Sequence, residues 1–250
     1  MTAGILFTGG GAVYKGVNFD GTNDYLSRAS DFTGNADSKK FTICGWFANL
    51  SNSGNNQIWI AGDFTGGNAG FSVNTQFSGV VSISGSNAAG SGIMSGLTSA
   101  VIPQSTTWKW LGISVDMSGT GKRHIYVNDT DASPTWSTYT DDTFDLTKSI
   151  HYGGATNSGS GAFNLLNSDV AELWVGYGQY IDFSVEANRR KFITSSGKPT
   201  SLGADGSTPT GTAPTVYFRG DSTTFATNAG TGGAMTLTGT LTDSATNPSD

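Results

Sequence analysis

Between residues 108 and 129 the chain reads WKWLGISVDMSGTGKRHIYVND, a stretch that holds Asp116, Lys122, His124 and a Ser-Gly-Thr-Gly-Lys run. A phosphate-binding loop needs G-x-x-x-x-G-K-[ST] between a strand and a helix. Counting back from Gly121-Lys122, the first glycine should fall where Asp116 stands, and the magnesium-binding hydroxyl where Arg123 stands. The residues that follow, HIYVND, have no helical period, so the phosphate reading fails. Asp116 and His124 suggest two members of a nucleophilic triad, but no serine in a nucleophile-elbow context completes it. The plainer expectation is a polar pair facing across two strands.

Other chemistries meet similar gaps. Retaining glycosidases need two carboxyl groups about 5 Å apart. The chain has only two glutamates, Glu172 and Glu186. Glu186 lies in a segment with helical character. Asp169 precedes Glu172 by three residues, which in a regular strand puts the two side chains on opposite faces. His124, His151 and the lone Cys44 make a poor zinc set. Oxygen ligands for calcium are available in two clusters, Asp20, Asn23 and Asp24, then Asn128, Asp129 and Asp131. Neither has the spacing of a twelve-residue calcium loop, and Asp and Asn are also the usual turn residues. Turn chemistry is the expectation, with calcium kept as a candidate and no other cofactor implied. The tripeptide Arg219-Gly220-Asp221 reads as a strand exit, and the sequons at Asn49 and Asn128 matter only in a secreted protein. What remains is aromatic. Trp108, Trp110 and Tyr126 offer flat rings on which a sugar stacks, and His124 and Asn128 offer polar groups to orient it. The competing reading is that these rings fill a β-core.

The elements that must position these residues are strands. Leu111, Ile113 and Val115 alternate with small or polar residues, as do Ile125 and Val127 beyond the Gly-rich turn, which predicts a hairpin. Pairing Val115 with Ile125 places Asp116 opposite His124, and Trp110 on the same face as Tyr126. Asp20-Gly21 predicts an earlier turn between short strands. FTICGWFANL, residues 41–50, has apolar residues in both parities and suits a central strand covered on both faces, with Cys44 as a small buried hydrophobe. Further strands are expected near 57–64, 70–77, 79–86, 92–99, 149–154 and 164–181. One helix is expected over about 184–195, capped by Ser184 and docked by Val185, Phe192 and Ile193. TVYFRGD and AMTLTGTLTD, residues 215–221 and 234–243, read as late strands returning to the first sheet. Many short strands at regular turn spacing define an all-β antiparallel sandwich or jelly roll with one short C-terminal helix.

Composition agrees. Gly provides 36 of 250 residues, and charged residues are 13%, about half the ordinary share. Aromatics at 11%, spread along the chain, argue against disorder. A net charge of −6 is poorly suited to phosphate backbones, so no nucleic-acid partner is expected. Arg189-Arg190-Lys191 is the only basic cluster. No apolar run approaches the ~18 residues of a membrane helix, and the first residues lack the basic start of a secretory signal. The expected division is an N-terminal extension over 1–15, one jelly-roll domain over 16–243 and a tail over 244–250.

NFDGTNDYL, FTICGWF and WKWLGISVDMSGTGKRHIYVND, in this order, resemble the opening strands and central hairpin of concanavalin A-like, laminin-G-like jelly rolls. SDVAELWVGYGQYIDFSVEANRR resembles that family's late strand and short helical turn. The tail segments GKPTSLGADGSTPTGTAPTVYFRGD and GTGGAMTLTGTLTD resemble parts of bacteriophage virion proteins that carry this fold. The resemblance implies a non-enzymatic virion structural protein, a capsid decoration or fibre-like surface component. It would be made in the host cytoplasm, contact other virion proteins, form a homo-oligomer and touch host surface glycans. The alternatives are a free carbohydrate-binding lectin and a laminarinase-type hydrolase. The hydrolases of this fold carry two glutamates and an aspartate along one strand, and that pattern is missing here.

Overall fold

Period-two alternation leaves each strand with one apolar face that must be covered. The computed structural model describes residues 13–51, 53–65, 69–102 and 104–250. In chain order the strands are β1 (Val17–Asp20), β2 (Tyr25–Arg28), β3 (Lys40–Ala48), β4 (Asn56–Ala61), β5 (Phe71–Thr75), β6 (Val80–Ser86), β7 (Gly92–Val101), β8 (Lys109–Asp116) and β9 (Arg123–Val127). They continue with β10 (Thr130–Asp131), β11 (Thr138–Tyr139), β12 (His151–Gly153), β13 (Thr156–Asn157), β14 (Ala162–Phe163), β15 (Asn167–Tyr177), β16 (Val216–Phe218), β17 (Thr236–Thr238) and β18 (Thr242–Asp243). The first sheet runs β10-β9-β8-β3-β15-β1-β18, with β16 also on β15, and the second runs β11-β7-β6-β5-β4-β12-β2-β17. All pairings are antiparallel, so the expected sandwich is the observed one.

The inner faces meet as the alternation predicts. Phe41, Ile43 and Phe47 of β3, and Leu111, Ile113 and Val115 of β8, pack with Trp59, Phe71, Val73 and Ile83 from the second sheet. Phe41 and Phe71 bring their ring centroids to 4.0 Å across the sandwich. Each such side chain contributes roughly 1.5–3 kcal/mol on burial.

The first sheet is covered on its other face too, which is why β3 is apolar in both parities. Cys44 and Trp46, Trp110 of β8, Tyr126 of β9 and Trp174 of β15 pack against Ile181, Phe183, Phe192, Ile193 and Leu202 from the segment after β15. This segment forms a third layer. Phe192 stacks on Trp110 at 6.0 Å and meets Trp174 edge-on at 5.8 Å. Trp110 and Trp174 lie flat over glycines two residues along their own strands. A Cβ at Gly112 would come within 2.2 Å of the Trp110 ring, and one at Gly176 within 2.5 Å of Trp174.

Several expectations change in detail. The helix is one turn, α1 (Glu186–Arg189), with Val185 and not Ser184 at its N-cap. The Ser184 hydroxyl donates to Asp182 Oδ1 instead, and Val185 is exposed. Turn hydrogen bonds run on from Arg189 to Phe192 and Ile193, and Ile193 then bridges to Pro199, with Phe192 and Ile193 packed under the sheet. The β8–β9 hairpin is shifted by two residues from the expected register: Ile113 faces Ile125, and Ser114, not Asp116, faces His124. Asp116 turns to its own loop, where it accepts from the Ser118 N–H and lies near Lys122 and Lys40. The late strands divide between sheets, β16 and β18 in the first and β17 in the second. Residues 244–250 are docked: Ser244 N–H donates to Gly16 O, and Thr246 Oγ1 accepts from the Trp108 indole. Of the extension, residues 1–12 lie outside the described residues.

Candidate functional site

The predicted sugar platform is not open. Trp108, Trp110 and Tyr126 are 8%, 1% and 7% exposed, and the last two face the sheet side that the third layer covers. The Arg189 guanidinium sits 4.6 Å over the Tyr126 ring. Asn128, in a left-handed turn between β9 and β10, accepts from the Trp110 N–H and so closes the hairpin. His124 faces Asp182 at 3.4 Å. Trp110, Tyr126 and Asn128 lie together, but Trp108 precedes β8 and His124 faces Ser114 near the strand's other end, so the five form no single platform, and their partners are protein groups. Aromatics on the outer face of a sheet cannot be told from a ligand platform until the covering segment is seen.

The calcium clusters are engaged in the same way. Asp20 Oδ1 accepts from the N–H groups of Thr22 and Asn23. Asp24 is buried and accepts from Asp20 and Thr240 N–H groups, fastening β1 to the segment before β18. Asp129 pairs with Arg189 and Arg190, which hold its carboxyl below the usual range, and Asp131 accepts from Ser133 N–H. These are turn, cap and ion-pair roles. No group of three or more metal-ligating side chains occurs among the described residues.

The residue with the most unusual setting is Glu172. On one edge β15 pairs with β3, but its register slips by one residue between Ala171 and Trp174. Glu172 is the bulged residue, with φ of +51°. Left-handed backbone in a non-glycine residue costs of order 1 kcal/mol or more. The bulge also overturns the parity argument. Asp169 pairs across from Asn18, which donates to it on the outer face. The extra residue brings Glu172 to that same outer face, where the buried Tyr217 hydroxyl donates to its Oε2. Burial pushes the Glu172 carboxyl up, opposed by that hydrogen bond and by the Arg219 charge. Its presence raises the Tyr217 hydroxyl in turn, after burial itself.

The bulge coincides with a change of neighbour on the other edge of β15. β1 pairs with Asn167–Val170, and β16 pairs with Leu173–Val175. Neither reaches Glu172. The chain leading into β1 and the chain leaving β16 diverge around it and leave a cleft of about 550 Å³. Tyr14 and Lys15 come from one side, Arg219, Gly220 and Asp221 from the other, with Ser201, Thr224, Thr227 and Ala229 completing the wall. Lys15 and Asp221 are paired at 3.0 Å. Asp221 also accepts from Thr223 and Thr224 hydroxyls at 2.6 and 3.0 Å, and these contacts hold it well below the usual carboxylate range. The sequence does carry a trace of the bulge. Val170, Leu173 and Val175 all face the core, and a spacing of three then two breaks the period of a regular strand.

No protein-family model and no curated protein matches the chain. Among solved structures it is similar to a Bacteroides ovatus protein described as a candidate carbohydrate binder, with TM-score 0.63 and 14% identity. That match covers 93% of this chain and 60% of the other, so the chain spans somewhat less than two thirds of that protein. It is also similar to the SAP-like pentraxin of Limulus polyphemus, at TM-score 0.48 and 13% identity over 65% of this chain and 75% of that one. The CBM40 of Ruminococcus gnavus IT-sialidase, solved with α2,3-sialyllactose, gives 0.49 and 14% over 68% and 92%. At such identities the likeness is one of fold. The architecture is an antiparallel β-sandwich of the concanavalin A-like jelly-roll type.

Proposed function

We propose that the chain is a non-catalytic carbohydrate-binding domain, displayed on a virion surface as a decoration or fibre-like component. The observation that carries the binding reading is the Glu172 cleft, which offers hydrogen-bond donors, acceptors and an aromatic ring to solvent on a lectin-type sandwich. The first similar structure supports it through its description as a candidate carbohydrate binder. The same cleft argues against hydrolysis. Its second carboxylate, Asp221, has both oxygens engaged, by Lys15 on one side and by Thr223 and Thr224 on the other. Asp169, which the bulge brings to the same face, has both oxygens engaged as well, by Asn18, Asn49 and Ser244, so Glu172 lacks a free partner to act as nucleophile or base. The virion setting rests on the resemblance of the tail segments, and homo-oligomers and contacts to other virion proteins follow from it as part of the proposal.

A glycan array with the purified chain tests the binding reading, and specific binding is expected. An empty array at millimolar-sensitive detection would overturn it. Release of reducing sugar that disappears in Glu172→Gln would replace binding by catalysis. Mass spectrometry of purified particles from the source tests the virion setting, which fails if the chain is absent from them.

A further inference from the structure

We infer that the gap in the β15 edge, centred on Glu172, is the primary saccharide subsite and that it takes a neutral hexose unit. This deepens the carbohydrate-binding reading and rests on it. The inference begins with a feature the fold does not need. A bulge in a central strand is most simply built with glycine or asparagine in the left-handed position. Here a glutamate occupies it, is almost wholly buried, and lines a cleft. Tyr217 holds only Oε2. Oε1 accepts no hydrogen bond among the described residues, and the residue lines the cleft, so this oxygen is the acceptor that the proposal assigns to a ligand. A carboxyl fixed in this way accepts from vicinal hydroxyls, the group that separates a sugar from most other small ligands.

The ligand class follows from charge and size. Lys15 and Asp221 neutralise each other in an ion pair. Arg219, stacked 5.8 Å from the Tyr217 ring, has no ion pair among the described residues and balances Glu172. The cleft thus presents donors from Arg219, Ser201 and Thr227 and an acceptor from Glu172 with no net excess of either sign. An acidic sugar would bring its charge to Glu172, and a cationic ligand would meet Arg219. A neutral polyol satisfies both. The volume of about 550 Å³ lies within the ~300–1,000 Å³ range of small-ligand sites. The Tyr14 ring supplies the apolar surface against which a pyranose face packs.

The test uses the full chain and four neutral disaccharides, lactose, cellobiose, maltose and mannobiose, with digalacturonic acid as the acidic probe. Saturation-transfer NMR and calorimetry give affinity, and thermal melting reports folding. Binding of at least one neutral probe is expected, weakened about tenfold or more in Glu172→Gln and lost in Ser201→Trp, which fills the cleft from an exposed position. Glu172→Gly should also fail to bind. Wild-type chain that binds none of these probes and nothing on the array removes the function and the subsite together. Binding to a neutral probe that survives both Glu172→Gln and Ser201→Trp places the site elsewhere and leaves the function standing. Binding confined to digalacturonic acid overturns the neutral class.

Discussion

His151 makes the sandwich sensitive to acid, and the size of the effect can be worked out. It lies on β12 with no exposed surface, its ring 4.3 Å from the Phe32 ring and 6.1 Å from Tyr177. Its Nε2 is 3.3 Å from Asp31 Oδ1. Burial lowers its pKa to about 4, with Arg28 adding to the fall and Asp31 opposing it. A folded value below the unfolded ~6.5 means that the neutral ring is favoured in the native state. The stability it protects is fully present above ~6.5 and is lost as pH falls toward 4. Linkage between these two values gives a loss of roughly 1 kcal/mol near pH 5.5, growing to roughly 2–3 kcal/mol near pH 4.5. The measurement is urea unfolding of wild type and His151→Gln at pH 7.5, 6.5, 5.5 and 4.5. The shared carboxylates cancel to first order in the difference between the two proteins. Wild type should lose about 2–3 kcal/mol more than the variant between pH 7.5 and 4.5. Parallel curves down to pH 4.5 would refute a buried neutral imidazole.

Four further outcomes follow from the layers and turns. Trp110→Ala should cost about 3–5 kcal/mol in urea unfolding, because the ring is enclosed by Phe183 and Phe192. Trp110→Phe should keep any glycan affinity, and its loss with the fold intact would restore Trp110 as a contact residue. Gly112→Ala should destabilise by about 1–3 kcal/mol, since its Cβ would meet the Trp110 ring at 2.2 Å and the ring is held from above; an unchanged melting curve would show that the third layer is loosely seated. Calcium at about 5 mM, above the ~1 mM range of weak extracellular sites, and EDTA should give the same melting temperature, because Asp20, Asp24, Asp129 and Asp131 already hold backbone or arginine donors. A calcium-dependent rise of more than about 3 °C, worth roughly 1 kcal/mol in a domain of this size, would return those loops to the ligand role.

The sequence by itself determined the sandwich. Alternation along β8 and β9, and apolar residues in both parities of β3, are local consequences of which faces must be buried, so they are readable without coordinates. The doubled apolar pattern of β3 even implied a cover on each side. What covers the second side was decided only in three dimensions. Phe183, Phe192 and Leu202 lie far along the chain from Trp110 and Tyr126, and nothing local distinguishes a ring awaiting a sugar from one awaiting Phe192. The short helix shows the same limit. Ser184 has the type of an N-cap, but Asp182 beside it and the Ile193–Pro199 bridge beyond it set a different backbone. Glu172 is the sharpest case. Strand parity put it opposite Asp169, and a single bulged residue reversed that. The cleft around it exists because β1 and β16 share one edge of β15 and neither covers the bulge. The meeting on β15 of two segments some two hundred residues apart, β1 and β16, is a property of the folded sheet, and so the candidate site belongs to the tertiary structure while the fold that carries it was written in the pattern.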